Sequence, residues 1–135
     1  MTIQEKLNEF NELFSIFDNP KDKFVQLMDM AKESEGLTEL EMIENNKIYG
    51  CTSQAWVVGT KNENNSYSFR TDSDAMIVKG LLVLLEKIFN NQSSEEILSI
   101  QSRDILDSVG LEGAVTSQRT NGFTSAIEKI QGIVT

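Results

Sequence analysis

Apolar residues at the start of the chain recur at helical spacing. Ile3, Leu7, Phe10 and Phe14 fall on one stripe and predict a helix from about residue 2 to about residue 16. Asp18-Asn19-Pro20 breaks and restarts the chain, with Asn19 as N-cap and Pro20 at the first helical position, where its missing N–H costs nothing. Phe24, Leu27, Met28 and Ala31 make the inward stripe of a second helix, for which Gly36 is the expected stop. The acidic, weakly patterned stretch 37–46 reads as a loop crossing to a sheet.

From Lys47 the period changes. Ile48 and Tyr49 lead into a Gly-Cys turn, and residues 54–60, β-branched and aromatic, predict a strand. Asn62-Glu63-Asn64-Asn65 forms a polar hairpin loop, and Tyr67 and Phe69 alternate with Ser68 and Arg70 on the returning strand. Thr71-Asp72-Ser73-Asp74 reads as a helix start whose hydroxyls and carboxylates accept first-turn N–H groups. Residues 75–89 then predict a central helix, apolar on most faces and ended by Asn90-Asn91-Gln92. Ser93 with Glu96 reads as a capping box, a short helix over 103–109 stops at Gly110, and Thr116-Ser117-Gln118 caps a last helix. That helix carries Phe123, Ala126, Ile127, Ile130 and Val134 on one face. This order of elements implies one domain over residues 1–135, of α+β class: a small antiparallel β-sheet with helices packed on one side.

Charge narrows the range of partners. Twenty-one acidic against 12 basic residues leave a formal charge of −9, which argues against sequence-independent nucleic-acid binding and against an anionic membrane surface. The same charge suits a protein partner with basic patches. The longest apolar stretch is interrupted by Lys79, Glu86 and Lys87 and is too short to span a bilayer, and the N-terminus does not read as a signal peptide. A single cysteine fits a reducing, cytoplasmic setting.

The chemistry centres on that cysteine, Cys51, in Gly50-Cys51-Thr52-Ser53-Gln54-Ala55-Trp56. With one thiol and no histidine, the chain has no Cys-His or Ser-His-Asp arrangement, no internal disulfide and no multi-thiolate metal site. A lone cysteine ordinarily reads as a small buried hydrophobe. The glycine before it and the hydroxyls after it favour exposure at a turn, and Arg119 or backbone N–H groups are the available means of lowering its pKa. Arg119 reads more readily as a first-turn surface charge. Trp56 reads as filler between sheet and helices, and Asp72 and Asp74 as caps in preference to a magnesium or catalytic pair. The glycines form no phosphate-cradling loop.

Three blocks stand out in order: Gly50-Cys51-x-Ser53-Gln54-x-Trp56, then Asp72-Ser73-Asp74-Ala75-x-Ile77-Val78-Lys79-Gly80-Leu81, then Ser117-x-Arg119-x-x-Gly122. Together they resemble the SufE family of sulfur-acceptor proteins. The middle block is long enough to be specific. Ala55 departs from the valine common before the tryptophan, and 37–46 lacks the prolines often found there.

The resemblance implies a fold like that of IscU-type scaffolds. It makes Cys51 the thiol that accepts sulfane sulfur as a persulfide, with Arg119 near that loop as candidate thiolate support. Gly50, Ser53, Gln54, Trp56 and Asp74 become loop-support or partner-facing residues. It implies an accessory sulfur-transfer protein with no cofactor or metal of its own, not a stand-alone enzyme. The partners would be a pyridoxal-phosphate (PLP) cysteine desulfurase of SufS type, which it stimulates, and a SufB-containing iron–sulfur cluster scaffold complex or another sulfur acceptor. Monomer and homodimer both stay open. Two other classes stand beside this reading: an IscU-type cluster scaffold, which needs several thiolate or imidazole ligands, and a regulatory interaction domain with an inert Cys51.

Overall fold

A computed structural model describes residues 2–50, 53–111 and 117–135, with the backbone alone at 102, 103 and 117–119. Helix α1 (Ile3–Ser15) opens on a reciprocal cap: the Glu5 N–H donates to Thr2 Oγ1 at 3.1 Å and the Thr2 N–H to Glu5 Oε1 at 3.3 Å. Its buried side chains are Ile3, Leu7 and Phe14, three of the four predicted stripe positions. Helix α2 (Pro20–Glu33) begins as its sequence dictates, with the Asp22 N–H donating to Asn19 Oδ1 at 3.0 Å. It ends before the expected Gly36. Ser34 already has extended backbone, and its hydroxyl accepts the Gly36 N–H at 3.1 Å, a local bond that competes with another helical turn.

The strap 37–46 is more ordered than a plain loop. It holds a turn about Thr38–Met42, and Glu44–Asn46 form a single 3-10 turn. Strand β1 (Ala55–Lys61) and strand β2 (Ser66–Ser73) pair antiparallel from Ala55↔Ser73 to Lys61↔Tyr67. β2 therefore runs through Thr71-Asp72-Ser73, read in the sequence as a helix start, because β-branched Thr71 sits in register with Val57. Strand β3 (Gln92–Ser93), which the sequence does not signal, adds a third strand beside Ser66 and Tyr67, giving the order β1-β2-β3 among the described residues.

Helix α3 (Met76–Phe89) buries Gly80 to Leu85, Ile88 and Phe89. No side chain caps it at Ala75; the Ala75 N–H donates to Ser73 Oγ two residues earlier, and both carboxylates are engaged elsewhere. Helix α4 (Ser94–Ser99) starts with the Glu96 N–H donating to Ser93 Oγ at 3.3 Å. Helix α5 (Ser102–Val109) stops at Gly110, whose φ of 80° closes the turn. Helix α6 (Ser117–Val134) buries the five predicted residues; its expected cap, Thr116, lies outside the described residues, as do the Ser117 and Gln118 side chains.

Strand alternation assigns the two faces of the sheet. Val57, Phe69 and Thr71 face α3, with Phe69 edge-on to Phe89 at 6.5 Å. Trp56, Val58, Arg70 and Asp72 share the other face, across which the strap runs. Trp56 is only 9% exposed yet stands outside the main hydrophobic cluster. It fills the space on the strap side, not the sheet–helix interface that its size suggests.

Past β3, side chains take over the edge of β2. The Phe69 N–H donates to Asn90 Oδ1 at 2.6 Å, and Glu86 accepts from both the hydroxyl and the N–H of Thr71. Burial pushes the Glu86 carboxyl up from its ordinary value, against the pull of those Thr71 bonds. Among the described residues no helix is long and apolar enough to cross a membrane.

Candidate sulfur-acceptor loop

The segment around the cysteine is held at both flanks. Lys47 bridges Trp56 and the Ile48 N–H donates to the Ala55 carbonyl at 2.8 Å, which closes the loop at its base. On the rising limb Gly50 has φ of 94°, left-handed backbone that favours glycine. A Cβ there would stand 2.5 Å from Ser125 Oγ on α6, so close approach to the helix also demands glycine. A shallow groove of about 530 Å³ opens beside it, lined by Lys47, Tyr49, Gly50, Ser125, Glu128 and Lys129.

The descending limb is clamped to the start of α3. The Gln54 N–H donates to Asp74 Oδ1 at 3.0 Å, the Asp74 N–H donates to the Gln54 carbonyl at 3.2 Å, and the Ser73 hydroxyl donates to the same carbonyl at 2.7 Å. Asp74 is thus a loop clamp instead of a helix cap. Asp72 does a parallel task for the strap: it accepts the Leu37 N–H at 3.0 Å and pairs with Lys79 at 3.5 Å.

Of the residues singled out from sequence, the fold gathers Gly50, Ser53, Gln54, Trp56 and Asp74 at this one corner. Cys51 and the Arg119 side chain lie outside the described residues. The sequence reasoning missed Ser125, Glu41, Glu44 and Lys129. Glu44 accepts from the Tyr49 hydroxyl, a bond that pushes the phenol up from its ordinary value. Lys129 donates to the Asn45 carbonyl at 2.8 Å, and Arg70 pairs with Glu41, which holds that carboxyl below its usual range. Apart from the Glu44–Tyr49 bond, which spans five residues, these links join distant parts of the chain, so only the acidity of the strap could have hinted at them.

Comparison with known proteins bears on the family and the fold. Residues 8–134 match the family model described as SufE, Fe-S metabolism associated domain. The chain belongs to the SufE family. An uncharacterised SufE-like protein of Rhizobium meliloti is 31% identical over 93% of this chain and 91% of its own length. Another such protein, of Synechocystis, is 32% identical over 96% of this chain and 80% of its own. SufE-like protein 1, chloroplastic/mitochondrial, of Arabidopsis thaliana is 33% identical over 93% of this chain, which spans only 34% of that longer protein. A solution structure of a hypothetical protein from Thermus thermophilus shares the fold with a TM-score of 0.77 at 21% identity, covering 96% of this chain and 93% of that one. Membership associates the SufE chain with iron–sulfur metabolism.

Proposed function

We propose that this SufE chain is a persulfide carrier that takes sulfane sulfur onto Cys51 from a PLP-dependent cysteine desulfurase of SufS type. The observation that carries the reading is that the chain's one thiol belongs to the signature segment whose flanks are pinned, by Ile48–Ala55 at the base and by Asp74 on the descending limb. Fixed flanks around a short segment suit a group that must be presented to a partner and withdrawn.

The transfer is thiol–disulfide exchange with sulfur as the transferred group. The Cys51 thiolate attacks the outer sulfur of the desulfurase persulfide, and a new S–S bond forms on Cys51. The old S–S bond breaks, its electron pair leaving on the desulfurase cysteine as thiolate, and the terminal sulfur keeps its proton as it moves to Cys51. Sulfur oxidation states are conserved overall, so no redox co-reactant is needed. Regenerating the free desulfurase thiolate is what stimulates its turnover. A second nucleophile, on a SufB-containing scaffold complex or another acceptor, repeats the exchange on the Cys51 persulfide.

Arg119 is the cationic support for the thiolate in this reading. Its backbone stands six residues before Ser125 on α6, about 9 Å along the helix axis from the point where α6 meets Gly50. A cluster scaffold is disfavoured by composition, since one cysteine and no histidine cannot supply the several soft ligands a cluster needs.

The test is mass spectrometry after incubation with a SufS-type desulfurase and free cysteine. One added sulfur confined to Cys51 is expected, and Cys51→Ser should abolish stimulation with an unchanged circular dichroism spectrum. Full stimulation by that variant would overturn the reading.

A further inference from the structure

We infer that the strap is the affinity-determining contact with the desulfurase, seating Leu40 and Ile43 in an apolar recess of that enzyme rimmed by lysine or arginine. The inference rests on the carrier reading above and assigns its docking surface. Leu40 is 87% exposed and Ile43 46%, and both sit on backbone that is held in place. The Glu41 N–H and the Met42 N–H both donate to the Thr38 carbonyl, and the Thr38 N–H donates back to Glu41 Oε1 at 3.1 Å. The Asn46 side chain donates to the Glu41 carbonyl at 2.9 Å, and Arg70 ties Glu41 to the sheet. Two large apolar side chains therefore stand in water on a preorganised turn, an arrangement that lowers the entropic cost of docking.

Position and charge identify the occupant. The strap runs directly into Lys47-Ile48-Tyr49-Gly50, the rising limb of the acceptor loop, and Glu44 is bonded to the Tyr49 hydroxyl. Tyr49 itself is 59% exposed and extends the apolar surface toward the loop. A partner that reaches the Cys51 segment thus meets the strap as well. Residues 35–46 carry Glu35, Glu39, Glu41 and Glu44 and no lysine or arginine, and Arg70 neutralises only Glu41. Lys47 and Lys129 stand at the loop end of the strap, and around Leu40 and Ile43 the acidic side chains Glu35, Glu39 and Glu44 remain in excess, so the recess that complements this part is positive.

The experiment titrates full-length protein against the PLP-loaded SufS-type desulfurase of the same organism, reading binding by calorimetry and persulfide on Cys51 by mass. Leu40→Ser with Ile43→Ser should weaken binding about tenfold or more, with the persulfide yield restored at saturating concentration. Glu39→Lys should slow association and flatten its salt dependence. Leu98→Ser, an exposed leucine on α4, serves as the control and should change neither. Binding by the double variant within about twofold of wild type overturns the inference, and so does an unchanged salt dependence in Glu39→Lys. Failure of the carrier reading is separate: it would appear as stimulation that survives Cys51→Ser, whatever the strap variants do.

Discussion

Asp74 and Gln54 hold each other through two backbone N–H groups, one received by the Asp74 carboxylate at 3.0 Å and one by the Gln54 carbonyl at 3.2 Å. Twenty residues apart in the chain, they fasten the descending limb of the cysteine loop to the start of α3. Asp74→Ala should raise the hydrogen-exchange rate of the Gln54 amide at a cost in global stability of about 1 kcal/mol or less. Asp74→Asn, which keeps one acceptor oxygen, should fall between. An exchange rate unchanged in both variants would show that the carboxylate does not hold the loop.

Gly50 answers two demands at once, a φ of 94° and the nearness of Ser125. Gly50→Ala should destabilise the protein by about 1–3 kcal/mol in denaturant unfolding. Adding Ser125→Ala removes the nearer Oγ contact but leaves the Cβ contact at 3.3 Å, so the double variant should recover only part of the loss. Complete recovery would mean that the backbone conformation carries no strain.

Gly80 shows the opposite of helix propensity. In an open helix, Gly→Ala stabilises by about 1 kcal/mol. Here a Cβ would sit well inside van der Waals contact distance of the Leu27 carbonyl oxygen, a backbone atom that cannot rotate aside. Gly80→Ala should therefore destabilise by about 1–3 kcal/mol, as α2 and α3 are pushed apart. A raised melting temperature would contradict the close packing of the two helices.

Glu86 makes stability depend on pH with a definite sign. Its folded carboxyl is raised above 4.5 because burial penalises the charged form. The native state then holds the proton more tightly than the unfolded chain, so the contribution is full below the unfolded value and is lost as pH rises through the folded one. Glu86→Gln has no such term. The stability of wild type relative to this variant should be greatest in mild acid and should shrink toward neutrality in urea titrations. A gap that widens with rising pH would reverse the assignment.

The helices were legible in the sequence because their causes are local. Phe14 and Leu7 lie one or two turns apart on a stripe, Asn19 caps its own neighbours, and Gly110 stops its own helix. The cysteine segment was legible as a family signature for the same reason, since Gly50 to Trp56 are contiguous. What escaped is made across distance. Asp72 reaches Leu37 over 35 residues, which left it looking like a cap, and Ser125 reveals its role only once α6 passes Gly50. Trp56 has the size of a core residue on either face, and only strand register decides that it lies under the strap. A two-residue strand such as β3 has no period to read at all.

β3 shields only the first two residues of β2, and past it Asn90 and Glu86 occupy the donors that a third full strand would use. An incoming polypeptide cannot zip onto that border without first evicting both side chains. That border of the sheet is therefore closed to a further strand, and the protein is spared there the most tenacious form of backbone adhesion.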